Sequence, residues 1–91
     1  MFKRKKEKTQ IIVQCDVGFS NNVYLRGEGP KELNWSKGVP LKNVKANEWI
    51  WETDGRFQDG QFKVLVNDQV FELGENHKLS PGASIRINPK F

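Results

Sequence analysis

The chain has little of what most chemistry requires. Its 91 residues include one cysteine, Cys15, and one histidine, His77. A lone thiol cannot close an internal disulfide, which suits a reducing compartment and predicts a cytoplasmic protein. One Cys and one His also fall short of a zinc ligand set, so no metal or other cofactor is expected. Long apolar runs are missing too. Ile11-Ile12-Val13 is three residues, too short for the apolar part of a secretory signal or for a membrane span. The length allows one domain with a modest core and excludes an eight-fold barrel or a dinucleotide-binding domain.

Beyond its start, the chain also lacks an excess of either charge. The formal net charge is +4, and residues 1–8 hold five basic and one acidic residue. Residues 9–91 carry ten of each sign. The reading is a basic, disordered leader over 1–8, solvated rather than bound to an anionic surface, and a single charge-balanced domain over 9–91. A nucleic-acid binder would spread its basic residues over the folded surface, so neither nucleic acid nor membrane is an expected partner.

Signals for catalysis are weak. The carboxylates of residues 9–91 alternate with lysines, and no isolated pair sits in an apolar setting where one acid could be tuned against another. Gly27-Glu28-Gly29 has no helix-forming segment after it and does not read as a phosphate loop. His77 lies in the polar stretch Glu75–Lys78 and reads as a solvated loop residue. Cys15 shares the period-two face of Ile11, Val13 and Val17 and reads as a buried, inert thiol rather than a nucleophile. Asn34-Trp35-Ser36 matches a glycosylation sequon, silent without a secretory route. A non-catalytic protein is predicted.

Short alternating runs punctuated by Gly, Pro and Asn are what the chain does have, and these predict strands. They cover Thr9–Val17, Val23–Arg26, Val39–Val44, Glu48–Thr53, Gln61–Asn67, Gln69–Leu73 and Ser84–Asn88. Asn67-Asp68 is the hairpin turn between the fifth and sixth. Pro40 marks its strand as an edge or a strand start. The expected fold is an all-β, antiparallel β-sandwich of about seven strands, with a small barrel as the competing architecture. The irregular stretch Gly27–Gly38 is a candidate functional loop.

Aromatic residues are the remaining feature. Trp49 and Trp51 stand two apart and share one strand face, as do Phe62, Val64 and Val66, and both sets read as core. Trp35 lies in a polar loop where no alternation draws it inward. It reads equally as a loop anchor or as a flat platform for a planar ligand face. Val70 and Phe71 are adjacent in a strand and point to opposite faces, so one of them lies outward or at a rim.

The order of these segments resembles the starch-binding domains of carbohydrate-binding module family twenty. Val23-Tyr24-Leu25-Arg26-Gly27 resembles the family's strand ending in a hydrophobic-Gly step. Leu33-Asn34-Trp35 is similar to its loop ending in Trp, and Pro40-Leu41 matches the following strand. Trp49 falls at the Trp opening the middle strand. Asp59–Val64 resembles the Gly, then aromatic-Lys-Phe stretch, and Phe71–His77 resembles Trp-Glu followed by Pro-Asn-Arg. The likeness spans about Thr9 to Ile87.

It implies an immunoglobulin-like sandwich that binds α-1,4-glucan without cleaving it. By position it implies Trp35 as the first aromatic platform and Phe71 in place of the second Trp. Lys63 and Asn76 then take the polar roles, and Glu72 follows the second platform. Phe71 offers less stacking area than Trp. The family's second site uses two Tyr; Phe19 falls near one, and Val44 to Asn47 supplies no aromatic for the other, so that site is expected to be absent. The alternative reading is a β-sandwich that binds a protein partner and has lost sugar binding.

Overall fold

The computed structural model describes residues 8–91, so the leader expected over 1–8 lies, apart from Lys8, outside the described residues. These residues form nine strands and no helix. The strands are β1 (Thr9–Gln14), β2 (Val23–Glu28), β3 (Val39–Pro40), β4 (Lys42–Lys45), β5 (Glu48–Thr53), β6 (Gly60–Val66), β7 (Val70–Phe71), β8 (His77–Leu79) and β9 (Ser84–Ile87). A four-stranded sheet runs β4-β5-β1-β9. A five-stranded sheet runs β3-β2-β6-β7, with β8 also paired to β6.

Alternation along β1, β2 and β5 builds the sandwich. Ile11 and Val13 of β1 and Trp49 and Trp51 of β5 face Val23 and Leu25 of β2 and Phe62 and Val64 of β6 in one core. The β2–β6 pair approaches closely at Gly27. A Cβ there would stand 2.2 Å from the Gln61 carbonyl oxygen, so only glycine fits.

Three expectations are corrected. There are nine strands rather than seven, because the single strand expected over Val39–Val44 divides at Leu41. β3 pairs with β2 and β4 pairs with β5, so the chain changes sheets there with Leu41 buried at the step. The ninth strand is β8, where His77 pairs with Phe62 rather than lying in a solvated loop. The sheets are also not wholly antiparallel, since β9 runs parallel to β1. Hairpin-joined strands must be antiparallel, but β1 and β9 are separated by the whole domain, so no turn fixes their direction. The pair is anchored where Gln10 N–H donates to Ala83 O at 2.9 Å and Gly82 N–H donates to Thr9 Oγ1 at 2.9 Å.

The hairpin at Asn67-Asp68 forms as expected. Both residues have positive φ, 54° and 55°, which matches the right-handed twist of the flanking strands, and Gln69 N–H closes the turn on Val66 O at 3.0 Å.

Candidate functional site

Strand register determines which side chains share the outer face of the five-stranded sheet. Tyr24, Arg26 and Glu28 of β2 lie opposite Leu65, Lys63 and Gln61 of β6, and Leu65 lies opposite Phe71 of β7. The face is apolar at the Leu65–Phe71 end and polar at the Gln61 end.

The loop after β2 carries Trp35 onto this face. Gly27 N–H donates to Asn34 O at 3.1 Å, and the side chain of Asn34 accepts from Ser36 and Lys37 N–H, folding the loop into a tight turn. The Trp35 indole N–H donates to Glu28 Oε1 at 2.8 Å, leaving the ring half-buried. Trp35 is thus anchored by its nitrogen while part of its ring reaches solvent.

Phe71 follows the hairpin turn and is 44% exposed. Arg26 joins it to Trp35. The guanidinium lies over the Phe71 ring, with Cζ 5.4 Å from the centroid, and Nη1 donates to Trp35 O at 3.1 Å. Asp68 holds the arginine: Nε donates to Asp68 Oδ1 at 2.8 Å and Nη2 to Asp68 O at 3.1 Å. The other oxygen, Oδ2, accepts from Gly38 N–H at 3.1 Å, tying the end of the Trp35 loop to the hairpin turn. The hydrogen bond from Arg26, aided by that N–H, holds the Asp68 carboxyl below the ordinary carboxylate range.

Lys63 and Glu72 serve the chain itself. Between β7 and β8 the backbone leaves β6, which would strand the ladder at Val64. Glu72 mends the gap, its Oε1 accepting from Val64 N–H at 2.9 Å and meeting His77 Nε2 at 2.7 Å. Lys63, 8% exposed, turns its ammonium onto the carbonyls of Glu72 and Gly74. Both side chains staple the excursion that returns through Asn76. Asn76 is exposed, and its Nδ2 reaches Gln61 Oε1 at 3.4 Å on the outer face.

No family model, curated protein or solved structure matches this chain. The geometry therefore stands by itself. Of the five residues expected at a site, Trp35, Phe71 and Asn76 present accessible groups toward one face, while Lys63 is buried against backbone carbonyls and Glu72 against Val64 N–H and His77. Arg26 and Asp68, which hold this arrangement, stand outside those five. The available signal was the alternation of β2, in which Val23 and Leu25 face inward and Arg26 must face out.

Two hollows of about 560 Å³ lie elsewhere, one lined by charged groups including Lys31, Glu32 and Glu52, the other by Phe19, Asn21, Asn22, Asn43 and Trp49. Neither includes Trp35 or Phe71. Phe19 is 99% exposed at the rim of the second hollow, whose other aromatic, Trp49, belongs to the core. Cys15 is half-buried, and burial pushes its thiol up, away from the reactive thiolate form. Among the described residues, no cluster of His, Cys, Asp and Glu could hold a metal ion, and no helix is long and apolar enough to cross a membrane.

Proposed function

We propose that this domain is a non-catalytic carbohydrate-binding module of the immunoglobulin-like, starch-binding type. It takes α-1,4-glucan on the outer face of its five-stranded sheet. One observation carries the reading: Arg26 lies over the accessible ring of Phe71 and bonds the backbone carbonyl of the half-buried Trp35, on a face bordered by Gln61 and Asn76. A pyranose has an apolar C–H face that suits an aromatic ring and an equatorial rim of hydroxyls that suits amides and charged donors. The near-neutral balance of residues 9–91 suits an uncharged polymer.

Ring burial plus a few hydrogen bonds of about 1 kcal/mol each corresponds to weak binding, with a Kd of about 0.1–1 mM. Retention on a polymer then depends on repeated sites or on a second module. The single unpaired Cys15 goes with action in the cytoplasm.

The test is an NMR titration with maltoheptaose to millimolar concentration. Shifts centred on the Trp35 indole and the Phe71 ring support the reading, and their absence rejects it. The alternative, a protein-interaction domain, is favoured by the apolar edge beside Phe71. Val70, Leu73 and Phe91 are exposed there, and Leu73 N–H donates to Lys90 O at 2.7 Å. Sugar-induced shifts at Trp35 decide between the two.

A further inference from the structure

Arg26 and Lys63 are direct cross-strand partners on the outer face. Like charges so placed repel unless each is separately compensated. The two are compensated in different ways. Lys63 directs its ammonium to the carbonyls of Glu72 and Gly74 and is almost removed from solvent. Arg26 keeps a partly accessible side chain, 19% exposed, paired with Asp68. Three of its five N–H donors are used, on Asp68 Oδ1, Asp68 O and Trp35 O, leaving two without a partner among the described residues. It also touches both platform residues.

We infer that Arg26 is the residue that donates hydrogen bonds to the hydroxyl rim of a sugar on this shelf, and that Asp68 is its positioning residue. The inference rests on the glucan reading and deepens it. The two remaining N–H donors, one on Nη1 and one on Nη2, are held in the planar fork of the guanidinium, so that each can reach a sugar hydroxyl. Asp68 already balances the positive charge, so the fork has no net demand for an anion, and the ligand class is a neutral polyol rather than a sugar phosphate. Asp68 also ties the Trp35 loop to the turn before Phe71 through Gly38 N–H. It therefore sets where the fork stands relative to both rings.

The experiment follows the Arg26 side-chain N–H signals during titration with maltoheptaose, in parallel with Kd values for the wild type, Arg26→Gln, Arg26→Lys, Asp68→Asn and the Arg26→Gln/Asp68→Asn double variant. The Arg26 signals are expected to move with the same midpoint as the Trp35 indole. Arg26→Gln is expected to weaken binding at least tenfold. Arg26→Lys, which keeps the charge and loses the fork, should be nearly as weak. Asp68→Asn should weaken binding three- to tenfold, and its effect should be smaller in the Arg26→Gln background, where only its tie to Gly38 N–H is left to lose. A merely structural role would leave the exchange of the Arg26 side-chain N–H protons with solvent unchanged by sugar, and these signals report on the folded wild type even where a variant fails to fold. Glucose 6-phosphate binding more tightly than maltoheptaose would overturn the neutral-ligand assignment. Wild-type binding with unmoved Arg26 signals, or with Arg26→Gln within twofold, overturns the inference and leaves the glucan reading standing. No wild-type binding overturns both.

Discussion

The guanidinium of Arg26 stands over the Phe71 ring, Cζ 5.4 Å from its centroid, while the same group holds the carbonyl of Trp35. Strand β2, the loop after it and the β6–β7 hairpin thus meet at one side chain. Cation–aromatic contact at a partly exposed site contributes about 0.5–1 kcal/mol, so the arrangement matters more for geometry than for stability.

Removal of the Glu72 carboxylate should loosen the β7–β8 excursion. Glu72→Ala leaves the buried Val64 N–H without an acceptor and is expected to cost about 2–3 kcal/mol. Glu72→Gln keeps an acceptor oxygen and should cost about 1 kcal/mol. Urea midpoints of the two variants measure the difference, and equal losses would show that the hydrogen bond to Val64 is not what matters.

Gly27→Ala should be among the most damaging substitutions on β2. Its Cβ would meet Gln61 O at 2.2 Å and Phe62 Cα at 3.0 Å, both backbone atoms that cannot rotate away. A loss of about 3 kcal/mol is expected, read as a fall in Tm.

Acid should release the Arg26–Asp68 clamp. The folded carboxyl titrates below its unfolded value because Arg26 stabilises the charged form. Its stabilisation is therefore fully present above the unfolded pKa, near 4, and is lost as pH falls through the folded pKa. The stability difference between wild type and Asp68→Asn should be flat from about pH 7 to 5 and shrink below about pH 4. Added salt should reduce it as well, since the pair is partly exposed. Urea denaturation across pH and ionic strength measures both effects.

Much of the fold was legible because alternation and turn chemistry are local. Alternation alone bounds Glu48–Thr53 to the residue, and residue types alone mark the Asn67-Asp68 turn. Strand β8 was not legible, because His77–Leu79 has no alternation of its own; it is a strand because β6 offers an edge and Glu72 holds His77. The sheet change at Leu41 and the parallel β1–β9 pair depend on contacts distant in sequence. The outward placement of Lys63 was legible from strand parity. That its ammonium folds back depends on a loop nine to eleven residues later. Arg26 carried a signal in its outward position on β2, but only the fold sets it between Trp35 and Phe71.

The most direct measurement is a calorimetric titration of maltoheptaose into the wild type and into Trp35→Ala, with a urea curve confirming that the variant is folded. Glucan binding at Trp35 gives a wild-type Kd of about 0.1–1 mM and at least a tenfold loss in the variant. Wild-type protein that binds no sugar, or a folded Trp35→Ala that binds as well as the wild type, would contradict it.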